Sequence, residues 1–132
     1  MISTRGRYAL RVMIDLAVNK EQGYIPMKEV AARQGISLKY LEQILPVLTK
    51  SNLIEGVHGK GGGYKLCREP EQYKVGDILR LTEGSLKTVA CLGEDAPECD
   101  RMDSCKTLRF WKGLDDVIDN YIDSVTIADM IN

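Results

Sequence analysis

Three of the four cysteines in this 132-residue chain fall in one acidic stretch, as Cys91, Cys99 and Cys105 of CLGEDAPECDRMDSC. Their spacing, C-x7-C-x5-C, contains none of the C-x2–4-C pairs usual in zinc sites. Catalysis by a thiol requires a partner base, and the only histidine, His58, lies far up the chain, so an enzyme is not expected. Iron–sulfur clusters accept wider thiolate spacing, because two or more irons spread the ligands apart. Asp103 or Ser104 would cap a helix starting near Cys105, where free amides and the helix dipole favour a thiolate or an anionic cluster. Glu94, Asp95, Glu98, Asp100 and Asp103 act in the opposite sense, since their charge raises the cost of packing thiolates together. A cluster site, redox-active thiols and inert cysteines all stay open on these residues. Cys67, outside the stretch, reads as a core residue.

The elements that must position this loop divide by charge. Net charge is −1, but residues 1–66 carry 10 Lys and Arg against 5 Asp and Glu, whereas residues 67–132 carry 8 against 14. A basic half faces a polyanion and an acidic half has a different task. No apolar run approaches the roughly 18 residues of a membrane span. Arg11 and Asp15 interrupt the only apolar stretch near the start, and no small-residue cleavage site follows it. The expectation is a cytoplasmic protein without membrane contact, with thiols kept reduced and disulfides disfavoured.

In the basic half, Tyr8, Ala9, Val12, Met13, Leu16 and Ala17 recur at helical spacing over residues 5–19. Gly23 is expected to stop this helix and Pro26 to enter the first turn of the next. MKEVAARQG reads as a short helix with Val30 and Ala31 inward, closed by Gly35. Ser37 then caps a further helix with a Leu38, Leu41, Ile44, Leu45 and Leu48 stripe, which Pro46 should kink or shorten. Two short helices across a Gly-Ile-Ser turn form a helix-turn-helix, whose second helix can present Ser37, Lys39, Tyr40, Glu42 and Gln43 to bases and phosphates. LIEGVHGKGGGYKLCRE follows as a β-hairpin, with Leu53, Ile54 and Val57 going out and Tyr64 and Leu66 returning. Its tip, with His58, Gly59, Lys60, Gly61 and Gly62, lets backbone and charge approach a phosphate chain closely. The fold class expected is mainly α with a small β-hairpin wing: a winged helix-turn-helix plus a long C-terminal helix.

T-R-G-R-Y-A-L at 4–10, G-I-S-L-K-Y-L-E-Q-I-L at 35–45, H-G-K-G-G-G-Y-K-L at 58–66 and V-G-D-I-L-R-L-T-E-G-S-L at 75–86 resemble the Rrf-two family of bacterial winged-helix transcription regulators. A cysteine loop before a final helix fits as well. The resemblance implies double-stranded DNA as partner, with base contacts from Ser37, Tyr40, Glu42 and Gln43 and the wing tip near the minor groove. The arginine common in the family's wing is replaced here by His58. It also implies a cluster, 2Fe–2S or 4Fe–4S, on Cys91, Cys99 and Cys105 plus one further ligand. One branch takes that ligand from a His three residues after the last Cys, where this chain has Leu108. Another takes it from an Asp in the first helix of the partner subunit, where this chain has Arg7.

The last segment places Trp111, Leu114, Ile118, Tyr121, Val125 and Ala128 on one heptad-like seam, widened by Leu108, Phe110, Val117 and Ile122. So wide a stripe calls for a homodimer through this helix, binding a pseudo-palindromic operator. The organisation expected is a winged-helix DNA-binding domain over 1–86, with a short helix carrying Val75, Ile78, Leu79 and Leu81 packed on its core. A cysteine sensor loop over 87–105 follows, then a dimerisation helix and tail over 106–132. The function expected is a dimeric regulator, a repressor by type, sensing iron–sulfur, redox or nitric-oxide status. Two alternatives stand beside it. One is a cluster-free regulator of cysteine and sulfur metabolism, acting through a protein partner or thiol oxidation. The other is a winged-helix protein-interaction module.

Overall fold

A computed structural model describes residues 2–93 and 104–132 of the chain. Helix α1 (Thr4–Val18) is capped by Ser3, whose hydroxyl accepts from the Gly6 amide. It supplies the centre of the core through Ala9, Val12, Met13, Leu16 and Ala17. Asn19 ends α1, and Gly23 instead closes a single 3-10 turn over Lys20–Gln22. Pro26 stands one position earlier than expected, as the extended N-cap of α2 (Met27–Gln34). Gly35 closes α2 in the left-handed region at φ 65°, a conformation costly for residues with a Cβ.

Helix α3 (Leu38–Lys50) buries Leu41, Ile44, Leu45 and Leu48, each worth about 1.5–3 kcal/mol on burial. Pro46 does not shorten it. The proline is exposed, so the cost of its missing amide falls on a solvated face, while the four buried side chains hold the turns on either side together. Strands β1 (Ile54–Val57) and β2 (Gly63–Leu66) pair antiparallel with Ile54 opposite Leu66 and Val57 opposite Gly63. Ile25 adds a third lane at the base of this wing, exchanging two backbone hydrogen bonds of 2.9 Å with Tyr64. Cys67 is exposed rather than in the core. β2 ends at Leu66, so strand alternation no longer governs the next side chain.

Buried polar bonds tie α1 to the helix pair. Asp15, 3% exposed, accepts two bonds from Arg33, at 2.7 and 3.1 Å, and one of 3.0 Å from Gln34. Arg11 in turn donates to the Gln34 side chain and carbonyl. The Asp15 bond holds the Arg33 guanidinium above its ordinary pKa. Arg33→Leu should strand the buried carboxylate and lower stability by about 2–3 kcal/mol, discounted because Arg33 is partly exposed and Gln34 stays. Urea denaturation checks this, and Asp15→Asn should cost less.

Helix α4 (Val75–Glu83) packs on α1 and puts Ile78 into the core, with Leu79 also buried and Leu81 half-buried at its edge. The terminal segment is two helices rather than one. α5 (Leu108–Ser124) stops before Val125, and α6 (Ile127–Ile131) restarts behind a capping box of Thr126 and Asp129. The extended residue Val125 accepts a 2.9 Å bond from the Val75 amide. Ile127 and Ala128 are buried, with Ile127 joining the core, so Ala128 does not extend an α5 seam. α5 packs on α4 through a polar tie: Arg80 meets Asp123 at 2.8 Å and Asp119 at 3.2 Å. The Arg80 hydrogen bond holds the Asp123 carboxyl below the usual carboxylate range.

Candidate functional site

The candidate reading head begins at the α3 N-terminus. The Ser37 hydroxyl accepts from the Tyr40 amide at 3.1 Å, so it caps the helix and keeps only its own proton to offer. Lys39, Glu42 and Gln43 are exposed in the first turns of α3. Tyr40 is half-buried, its ring edge-on to Tyr8 with centroids 5.2 Å apart. Arg11 lies 5.3 Å over the Tyr8 ring. A cation on Tyr8, and Tyr8 against Tyr40, therefore brace the helix from behind. Sequence reasoning placed Tyr8 only in an apolar stripe and missed this brace, although an arginine three residues after a stripe tyrosine was a visible signal.

At the wing tip His58, Gly59, Lys60 and Gly61 are exposed and Gly62 is half-buried. A Gly62 amide to Gly59 carbonyl bond of 3.0 Å closes the turn. Gly59 and Gly61 hold φ of 95° and 80°, which their lack of a Cβ makes cheap. Below the tip, Glu55 takes a 3.3 Å ion pair from Lys65, and that bond raises the Lys65 pKa. Lys39 and Lys60 form no ion pair among the described residues, so both charges remain available to a polyanion.

The cysteine loop lies between α4 and α5. Cys91 is half-buried within a 3-10 turn over Ala90–Leu92. Cys105 is half-buried as well, with Sγ 3.4 Å from the Thr107 hydroxyl. Cys99 and the carboxylates Glu94, Asp95, Glu98, Asp100 and Asp103 lie outside the described residues. The expected cap at Asp103 or Ser104 is replaced by Thr107, because α5 starts only at Leu108. Thr107 makes no side-chain capping bond, and the first turn of α5 holds no acidic residue. A helix N-terminus, through its amides and dipole, favours a thiolate or an anionic group placed near it. Cys91 and Cys105 are half-buried soft sulfur donors, the type that iron–sulfur groups take, but among the described residues no three His, Cys, Asp or Glu side chains gather into a group that could hold a metal ion. Leu108, half-buried, and Arg7, exposed, supply no ligand at the two positions considered for a fourth one.

On the exposed face of α5, Phe110, Val117 and Tyr121 are 61%, 65% and 68% exposed. With Leu114 they are spaced 4, 3 and 4 residues apart. The expected seam residues Trp111 and Ile118 are half-buried instead, and Val125 lies just past the helix end. Leu114 and Tyr121 belong to both stripes. The exposed stripe is rotated by about one residue because Asp119 and Asp123 bind Arg80 on the other side.

Among described residues, no helix is long and apolar enough to cross a membrane. Comparison with known proteins agrees with the architecture. The chain matches the Rrf2 family, described as an iron-dependent transcriptional regulator, over residues 2–132. It is 35% identical over 131 residues to the HTH-type transcriptional regulator IscR of Cronobacter sakazakii, covering 99% of this chain and 80% of that protein. The solved structure of T. potens IscR matches with a TM-score of 0.80 at 40% identity, over 99% of this chain and 85% of that one. CymR, the global cysteine regulator of B. subtilis, matches with a TM-score of 0.80 at 34% identity, over 99% and 95%. The mainly helical fold with its hairpin wing is that of winged-helix regulators, and these relatives are transcriptional regulators, not enzymes. With helix pair, wing, cysteine loop and terminal helices all inside one match, the chain belongs to the Rrf2 family of transcriptional regulators.

Proposed function

We propose that this regulator is a homodimer that binds a pseudo-palindromic operator and reports iron–sulfur, redox or nitric-oxide status through its cysteine loop. The observation that carries the reading is Cys105 just before α5, whose first turn holds no acidic residue and whose N-cap residue Thr107 makes no side-chain capping bond. Cys91, Cys99 and Cys105 would hold the cluster, 2Fe–2S or 4Fe–4S, and when bound it would supply reversible electron and ligand chemistry. The protein's own part is to hold the thiolates near the α5 amides and to join the loop to a helix that sets the spacing of two reading heads. Residues 1–86 act as the reading domain, 87–105 as the sensor and 106–132 as the dimer element, in the cytoplasm.

On DNA, Ser37, Lys39, Glu42 and Gln43 face the major groove. Tyr40 contributes through its hydroxyl edge, because its ring packs on Tyr8. His58, Gly59, Lys60, Gly61 and Gly62 approach the backbone. Neutralising Lys39 and Lys60 together removes two charges per protomer and four per dimer, so it should weaken operator binding and flatten the log–log salt slope by about 0.9 per charge, roughly 3.6 in all. Fluorescence anisotropy over a salt series measures this. Absence of DNA binding by the wild-type protein at low salt would leave only the protein-interaction module.

A second reading has its own support: the chain covers 95% of the B. subtilis cysteine regulator. In that reading no cluster forms, and the response comes through a protein partner or thiol oxidation. The missing ligands at Leu108 and Arg7 also favour it. Iron and sulfide assays on protein prepared without oxygen separate the two readings.

A further inference from the structure

We propose that Asp115 is the positioning residue that couples the cysteine loop to α5, an inference that rests on the cluster-sensing reading above. Past α4, residues 85–93 run to Cys91 without α-helix or strand. Their backbone hydrogen bonds are local ones, Ser85 to Glu83, Leu92 to Val89 and Gly93 to Ala90. What ties this strap to α5 is a 2.8 Å bond from the Thr88 amide to Asp115 Oδ1, with a 3.5 Å Lys87–Asp119 ion pair beside it. The ion pair is more than one-third exposed on both sides and therefore weak. The Thr88–Asp115 bond is different. Asp115 is 4% exposed and is the one buried residue of α5.

The junction is also incompletely satisfied. Asp115 Oδ2 and the Thr88 hydroxyl are both buried without a hydrogen-bond partner among the described residues. Buried polar groups are nearly always paired, so an orphaned carboxylate oxygen at a tie between two elements favours rearrangement to a better-paired state. Next to it is a cavity of about 260 Å³ lined by Lys87, Leu92, Lys112, Asp115 and Asp116, so two lysines share the junction with Asp115. Thr88 stands three residues before Cys91, and the intervening turn is short. A change in what Cys91 binds therefore displaces Thr88 against Asp115. Asp115 shares its helix with the exposed Phe110, Val117 and Tyr121 stripe, so the displacement reaches that face as a shift of α5.

The test compares wild type, Asp115→Leu, Asp115→Ala and Asp115→Asn, each without a cluster and after anaerobic loading with iron and sulfide. Amide hydrogen exchange across residues 108–124 is the readout. Loading should change α5 exchange in wild type. Asp115→Leu, or Asp115→Ala if the leucine variant does not fold, should take up iron and sulfide as wild type does. Its loading-dependent change should fall at least about fivefold. Asp115→Asn keeps an acceptor for the Thr88 amide and should retain most of the change. A purely structural role would shift loaded and unloaded forms alike. The coupling role is overturned if a normally loaded, folded Leu or Ala variant keeps the full change, if Asn loses it equally, or if loaded wild type shows none. If wild type takes up no iron, the cluster reading fails first and the coupling fails with it.

Discussion

Alanine at Cys91 or Cys105 should abolish retention of iron and sulfide by protein reconstituted without oxygen, and alanine at Cys67 should leave retention at the wild-type level. Losing even an outer-shell partner of a metal site costs roughly 10–100-fold in affinity, so removing a thiolate from a three-cysteine set should cost at least that much. Cys99 carries the same expectation from its place in the sequence. Cys67 differs physically, not only in position. It follows the end of β2 on the wing, and desolvation by its local surroundings, with the Glu55 carboxylate adding to it, pushes its thiol pKa up. A raised thiol pKa makes the thiolate, the form that binds metal, less accessible. Metal analysis and visible absorption of the four single variants decide the matter. Iron-free, colourless wild-type protein after reconstitution would end the cluster reading and leave thiol chemistry or a protein partner. Iron retained by the Cys91 and Cys105 variants but lost from the Cys67 variant would move the site to the wing.

The reading head was legible in the sequence because its signals are local. Gly35 marks a left-handed cap, Ser37 an N-cap and the glycines of 59–62 a tight tip, and each needs only its own neighbours to act. The terminal segment was misread because two signals competed there. The apolar spacing runs on through Val125 and Ala128, while Thr126 and Asp129 form a capping box that restarts the helix. The cap prevailed because Ile127 has a core to enter and Val125 a backbone partner in Val75. Facts about one segment cannot show that. The acidic residues Asp115, Asp119 and Asp123 recur every four positions and look like a solvated face. In the fold they meet the Thr88 amide, Lys87 and Arg80. Which face of α5 turned inward was therefore set by polar partners from another element, and the apolar spacing alone put the expected stripe one residue from the exposed one. Cys67 was misplaced for a related reason: burial past a strand end depends on what covers the hairpin.

That rotation gives the second large prediction. Val117→Arg should convert the protein to a monomer and lower operator affinity by about 100-fold or more, because a dimer gains its second half-site at millimolar effective concentration. Val117 is suited to the test because it is 65% exposed, so the substitution leaves no cavity and buries no charge within the protomer. Arginine is also a good helix former, so α5 itself should persist. The proposed partner surface is a groove of about 670 Å³ bounded by Lys106, Arg109, Phe110, Gly113, Leu114 and Val117. Gly113 has open space where a side chain would stand, which leaves room for another helix to approach. Burying charge on that stripe would leave it unpaired in the apolar contact. A helix packed instead along Trp111 and Ile118 would leave residue 117 at the edge and accept an arginine there. Sedimentation of the variant therefore distinguishes the two seams. A monomer that keeps wild-type helix content and unfolds cooperatively, its midpoint lowered only by the lost association, places the interface on Phe110, Leu114, Val117 and Tyr121. A dimer that still binds operator at wild-type affinity would return it to the seam read from spacing alone.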